Sequence, residues 1–427
     1  MKTRQMLWAV MAWFPLLAWA GQPITLQQAQ ERAIEVDPWL KASDFRQQAL
    51  EENAVAVGQL PDPRLNMALA NLPLDTFDFS QEPMTQFKVG LSQMFPPGDT
   101  LELKRERLET LAQAQPAMRE DRRGKAVLQV TGLWLDIWLA RQSAEVLEDK
   151  RVHFQQLVDV VTSTYATTAG RARQQDVVRS QLELSRLDDR LEMLRQQEDA
   201  ARGRLSEWIG PMAWQPLSAE LPVLPSVLDY TRSDREALQR LWLAHPAVRA
   251  LDLRIEAAER EVDLARQKYK PGWGLSASYA YRDQDRNGRD LADFVSLGVT
   301  VDLPLFTANR QDRRVKAAVA GSDALEQQRL LVLRALRSQW EKARESLQSL
   351  DERIALYRRE ILPQMEEQAQ ASLTAYTNDD GDFAEVMRAR IAELNANIEL
   401  LRLQAARLKN IAQLNYTLLA AAGKGEQ

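Results

Sequence analysis

The sequence predicts a mainly α-helical protein that also carries membrane β-strands, built as long helical hairpins with four strands per chain. Three observations predict it. One unit recurs twice at a constant spacing, and each copy places two alternating segments ahead of a very long heptad-like run. The chain also opens on an export leader yet has no later apolar stretch of the roughly 20 residues that a membrane helix needs.

Lys2 and Arg4 form the basic start of that leader, Met6 to Leu17 its apolar core, and Ala18-Trp19-Ala20 a small-x-small cleavage site, so residues 1–20 read as a signal peptide. Any membrane insertion of the mature chain then has to use strands. Without Lys2 and Arg4 the 55 basic residues fall to 53 against 60 acidic ones, a net charge of −7 that argues against a nucleic-acid partner. The absence of cysteine removes disulfides, thiolate metal sites and a cysteine-linked lipid anchor. The two histidines, His153 and His245, are too few for a buried metal centre, and no nucleophile–base signature or Gly-rich phosphate loop is present. The expectation is a non-enzyme with no cofactor and no metal.

The duplication rests on several landmarks. Asp37-Pro38-Trp39-Leu40 resembles His245-Pro246-Ala247-Val248 at an offset of 208, and the same offset carries Pro63 onto Pro271, Gly90 onto Gly298 and Pro96 onto Pro304. At 209, Asp176-Val177-Val178-Arg179 falls over Glu385-Val386-Met387-Arg388. Residues 21–210 thus form a first structural repeat and 233–422 a second. Between them, 211–232 is a proline-rich extended linker with Pro211, Pro216, Pro222 and Pro225, and 423–427 is a polar tail. His245 stands where the first copy has Asp37, which gives it a helix-start role rather than a ligand role.

Each repeat begins with a helical segment, about 25–57 and 234–268. Strands follow at about 64–74 and 84–96, then at 272–283 and 293–305, because Leu65, Met67 and Leu69, or Val295, Leu297, Val299 and Val301, alternate with small or polar neighbours. Phe95, Trp273, Tyr279 and Tyr281 suit interfacial girdles. Helical hairpins over about 98–210 and 308–420 come last, with apolar positions stepping by three and four and long helices reaching roughly 100 Å at 1.5 Å per residue. Pro116, Gly321-Ser322 and Pro363 are expected to break or kink these helices, and polar turns at Thr167–Gly170 and Asn378–Asp382 form their tips.

Four membrane strands cannot close a barrel, and an open sheet edge in lipid leaves backbone groups unsatisfied, so inserted strands require an oligomer. Two copies supply eight strands, enough for a barrel filled by its own side chains; three supply twelve, which leave a lumen. A channel therefore favours a homotrimer.

The order helix, strand pair, long helix, polar tip and return helix, repeated twice, resembles TolC-type outer-membrane efflux factors over nearly the whole mature chain. The segment from Tyr376 through Gly381, Glu385 and Arg388 to Ala389 is similar to the family's tip signature, with Tyr165 to Ser180 as its first-copy counterpart. The resemblance implies a trimer with a 12-strand β-barrel in the outer membrane and a 12-helix α-barrel extending into the periplasm. Its implied partners are a periplasmic adaptor (membrane fusion protein) and an inner-membrane resistance-nodulation-division (RND) pump. It further implies a gate at the periplasmic end, with Tyr376 at the tyrosine position and Asp176 and Glu385 at acidic ones. Asp379 and Asp380 are further pore candidates; Arg388 stands where relatives carry a second aspartate, and Gly381 where some carry an arginine. Thr168, Gly170, Arg171, Gly381 and Asp382 are the implied adaptor-contact tips.

Leu60 to Pro73, with Glu82-Pro83-Met84-Thr85 and Gly90 to Pro96, resembles the heavy-metal (Czc/Cus-type) branch, which implies export of heavy-metal cations. The alternatives are a drug-efflux or type I secretion channel and, outside the class, a periplasmic coiled-coil adaptor or scaffold.

Overall fold

A computed structural model describes residues 23–167, 173–224, 234–378 and 381–422; the leader at 1–20 and the tail at 423–427 lie outside them. In chain order the elements are α1 (Leu26–Val36), α2 (Pro38–Val57), β1 (Arg64–Ala70), β2 (Gln86–Phe95), α3 (Thr100–Thr167) and α4 (Gln174–Ile209), then α5 (Arg235–Leu243) and α6 (Pro246–Gln267). They continue with β3 (Gly272–Tyr281), β4 (Phe294–Asp302), α7 (Gln311–Leu356), α8 (Leu362–Thr377), α9 (Phe383–Thr417) and α10 (Leu419–Ala422). The fold combines long helices with one four-stranded antiparallel sheet. The starts of α6, β3 and β4 each stand 208 residues after those of α2, β1 and β2.

The chain divides into two compact units. One gathers Val130–Val223 and Glu360–Ala405 with the N-terminal segment; the other gathers Val36–Gln129, Leu224–Arg359 and the last helix turns.

Along the chain each leading helical segment is split in two by a cap. Asp37 sits in extended backbone and accepts a hydrogen bond from the Trp39 N–H (2.9 Å), with Pro38 at the first helical position. His245 does the same for α6, its Nδ1 accepting from the Ala247 N–H (3.2 Å) while Nε2–H donates to the Tyr416 carbonyl (3.0 Å). That arrangement fits only the neutral ring. Burial lowers the His245 pKa against the raising effect of the Tyr416 carbonyl, so the unfolded chain takes a proton more readily than the folded one. Stability should be unaffected above about pH 6.5 and fall as pH drops below it. His245→Asn, which keeps an acceptor, should remove this dependence in urea titrations between pH 7.5 and 5; an unchanged slope would refute it.

The strands run in the order β1–β2–β3–β4, all antiparallel. Their register separates two faces. Leu65, Leu91, Ala277 and Leu297 lie in one paired row, Met67, Val89, Tyr279 and Val295 in the next, and all belong to a single apolar face that is largely exposed. The other face carries Asn66, Gly90, Ser278 and Ser296 in one row and Ser92, Ser276 and Gly298 in another. Phe95 stacks on Trp273 (4.4 Å between centroids) at one end of the apolar face, and Tyr279 and Tyr281 stand at the other. The strands stop short of their expected limits. Asn71 turns to φ 56° just after β1, before Pro73 is reached.

Two helix expectations need correction. Pro116 does not interrupt α3, and Gly321-Ser322 does not interrupt α7. Around Pro116, Ala112, Ala114 and Ala117 are buried, and that packing holds the helix across the missing N–H, a local cost of about 3 kcal/mol. Pro363 does mark a change: Tyr357–Ile361 is a π-helical stretch that ends two residues before it.

The linker begins as a 3-10 turn over Gly210–Trp214 rather than as extended chain. Arg202 holds it, donating to the Ala213 (2.8 Å) and Gln215 (3.0 Å) carbonyls, and Trp138 donates to the Ala219 carbonyl (2.8 Å). Leu217 then bridges to Ile24 in parallel. Residues 225–233 lie outside the described ones.

Candidate functional site

The candidate gate residues belong to the first unit, where α3, α4, α8 and α9 share one core. Leu147, Phe154, Leu157 and Val161 of α3 pack with Leu187, Leu191 and Leu194 of α4 and with Phe383, Val386, Met387, Leu394 and Ile398 of α9. The steps of three and four place these residues on one stripe per helix, so the polar positions beside them face outward.

Both return helices start alike. Asp176 is the third residue of α4 and Glu385 the third of α9. Asp176 reaches back to accept from the Arg173 backbone N–H (3.1 Å). In α9 the cap is Asp382, whose Oδ1 accepts from the Ala384 N–H (3.2 Å), and the Glu385 N–H donates to the Asp382 carbonyl (3.0 Å). Each carboxylate therefore stands in the first turn, where unpaired N–H groups and the helix dipole favour negative charge. Asp176 has a capping duty; Glu385 is exposed and has no capping bond of its own. Arg388 and Asp382 are exposed as well.

Tyr376 is half-buried at the end of α8 and meets Phe383 edge-on, with centroids 5.6 Å apart. It packs against the shared core, which fixes the ring beside the start of α9. Gly381 stands where the returning chain leaves no room for a side chain. A Cβ there would lie 2.8 Å from the Tyr376 backbone nitrogen and 3.0 Å from the Ala375 carbonyl carbon, so the chain returns too close to α8 for a side chain. Thr168, Gly170, Arg171, Asp379 and Asp380 lie outside the described residues. Among the sequence candidates, Tyr376, Gly381, Asp382, Glu385 and Arg388 gather at the α8–α9 end, and Asp176 at the start of α4.

Sequence reasoning missed Glu393. Its side chain is buried in the same unit and accepts from Lys150 Nζ (2.5 Å) and Arg390 Nη1 (2.9 Å), joining α3 to α9. Burial pushes its pKa up, and the hydrogen bonds and charges of Lys150 and Arg390 more than reverse this, holding the carboxyl below its ordinary value. A second polar tie runs from Arg190 Nη1 on α4 to Asn395 Oδ1 on α9 (2.6 Å). Arg390 lies three residues before Glu393, a spacing that reads as an ordinary surface pair, so the sequence carried no sign of the burial.

Among the described residues no cluster of three or more histidine or acidic side chains has metal-site geometry, and no helix is long and apolar enough to cross a membrane.

Residues 237–420 match the outer membrane efflux protein family. No curated protein matches the sequence. Among solved structures, the chain is similar to the transmembrane channel CusC (16% identity, TM-score 0.74, covering 92% of this chain and 91% of that one). It is similar to the outer membrane protein VceC of Vibrio cholerae (17%, 0.74, 92% and 95%). A third likeness is to the open-state outer membrane channel MtrE of Neisseria gonorrhoeae (16%, 0.68, 92% and 88%). At these identities the likeness carries the fold.

Proposed function

We propose, for a chain whose residues 237–420 match the outer membrane efflux protein family and whose fold is similar to that of outer-membrane channels, that it is the outer-membrane conduit of a tripartite efflux pump. The outer membrane is its location, and it is a transport channel rather than an enzyme. It works as a homotrimer that receives substrate from a periplasmic adaptor and an RND pump and passes it outward without energy input of its own.

One observation carries the reading. The sheet exposes an apolar face bracketed by aromatic residues, and its two outer strands have no partner strand among the described residues. Such a sheet suits lipid on one side and demands other copies at its edges. A periplasmic adaptor or scaffold has no use for this surface. Detergent-dependent, heat-modifiable extraction from outer membranes is the expected behaviour, whereas release by osmotic shock would overturn the reading.

At the periplasmic end, three symmetry-related copies of Asp176 and Glu385 would give acidic rings that attract cations and repel anions. Asp379, Asp380, Arg388 and Tyr376 would complete the constriction, and Thr168, Gly170, Arg171, Gly381 and Asp382 would meet the adaptor. Glu385→Ala should lower cation preference in planar bilayers more than Asp176→Ala, because only the Glu385 carboxylate is free of a capping bond. Unchanged conductance and selectivity in both variants would remove these residues from the gate.

Heavy-metal cations are the proposed cargo, supported by the resemblance of residues 60–96 to the heavy-metal branch. A deletion strain should become sensitive to ions such as copper, silver, zinc, cobalt or cadmium, and complementation should restore growth. Sensitivity confined to drugs or detergents would keep the channel and discard the metals.

A further inference from the structure

Within the second unit a cleft of about 660 Å³ opens between α5 and α7. Leu238 and Trp242 stand four residues apart on α5, Leu333 and Trp340 seven apart on α7, so each pair shares one helix face. The two faces meet across the cleft, where the indoles of Trp242 and Trp340 pack edge-on with centroids 6.0 Å apart. Leu243 and Leu330 line it too and are left open to solvent. An apolar hollow of this size is what small-molecule sites are made of.

Its charge is lopsided. Four arginines and two glutamates line it. Arg337 pairs with Glu341 (2.8 Å) and Arg344 with Glu345, and the Arg344 guanidinium lies over the Trp340 ring, 5.1 Å from its centroid. Arg235 on α5 and Arg334 on α7 are exposed and form no ion pair among the described residues. One uncompensated positive charge thus stands on each helix beside the apolar hollow.

The indoles add a second sign. Trp242 is 9% exposed and Trp340 4%, yet neither indole N–H has a hydrogen-bond partner. Buried donors are almost always paired, so two orphaned ones lining a single cleft point to a ligand that brings acceptors.

We infer that this cleft binds a small anionic amphiphile, a carboxylate head on an apolar body. The head lies between Arg235 and Arg334, and the body lies along Trp242, Leu330 and Leu333. A bare inorganic anion would leave the leucines in water, and a neutral apolar molecule would leave the arginines uncompensated. The ligand comes from the aqueous side. Leu330 is 19 residues along α7 from its first residue, Gln311, which follows β4, and 19 residues of helix span roughly 30 Å. A lipid embedded around the sheet does not reach that far. Binding clamps the nine-residue α5 onto α7 and so stabilises the folded chain.

The test is quenching of tryptophan fluorescence by 12-bromododecanoate at pH 8, with the full chain in maltoside micelles and 12-bromododecanol as the neutral probe of equal length. The carboxylate should quench saturably, and the alcohol should bind at least tenfold more weakly. Arg235→Gln/Arg334→Gln, which changes two exposed side chains, should weaken the carboxylate at least tenfold and leave the alcohol as it was. Trp242→Phe should remove much of the saturable signal. Equal affinity for the two probes, an affinity unmoved by the arginine substitutions, or quenching that rises only linearly with probe, as micelle partitioning gives, would overturn the site. None of these outcomes touches the channel reading, which rests on the sheet.

Discussion

Leu297→Arg should cost the membrane-inserted protein about 2–4 kcal/mol, whereas Ser296→Arg, one residue away, should be nearly neutral. Leu297 is 82% exposed in the middle of β4, in the row with Ala277, Leu91 and Leu65 on the apolar face. A guanidinium there has to enter hydrocarbon. Ser296 points the opposite way, in the row with Ser278, Gly90 and Asn66, where an added charge meets water. The checks are urea midpoints in lipid vesicles and the heat-modified shift on gels. Equal penalties for the two variants would mean that the faces are not divided between lipid and lumen.

Glu393→Leu should destabilise the first unit by about 3 kcal/mol, since it strands two cations that now share one buried carboxylate. Lys150→Met alone should cost less, because Arg390 still meets Glu393. The double variant Glu393→Leu/Lys150→Met should recover part of the loss, as expected for coupled partners. Urea denaturation followed by tryptophan fluorescence would measure all three, and strict additivity would exclude the coupling. The pH dependence has a definite sign. The folded pKa of Glu393 lies below its ordinary value, so the contribution of this group is present above about pH 4.3 and fades as pH falls through the folded pKa.

The strands were legible because half of their positions are apolar and half small or polar, and a period of two suits a two-faced strand but not a helix. Leu65, Met67 and Leu69 show this in β1, and the register places them all on one face. The caps were legible in part: Asp37-Pro38 and His245-Pro246 marked helix starts. That each divides a helical segment in two depended on whether the chain before it is itself helical, which apolar spacing alone does not reveal. Pro116 misled because its cost is local, whereas the buried alanines around it that hold α3 together depend on tertiary packing. The Gly210–Trp214 turn was hidden in the same way, since prolines signal an extended chain unless a side chain such as Arg202 gathers the carbonyls around it. At the candidate site the residue types stood out, but their division of labour did not. Asp176 spends its carboxylate on a cap, while in the second repeat Asp382 performs that task and frees Glu385.

The edges of β1 and β4, which have no partner strand among the described residues, also bear on inheritance. A chain that closes its sheet with a neighbour on both sides, as proposed above, cannot confine its own defects. If the assembly is the proposed homotrimer, a cell making equal amounts of intact and edge-damaged chains would have only about one trimer in eight free of damaged copies. Lesions in these outer strands should therefore behave as genetically dominant, while a deletion of the same gene remains recessive.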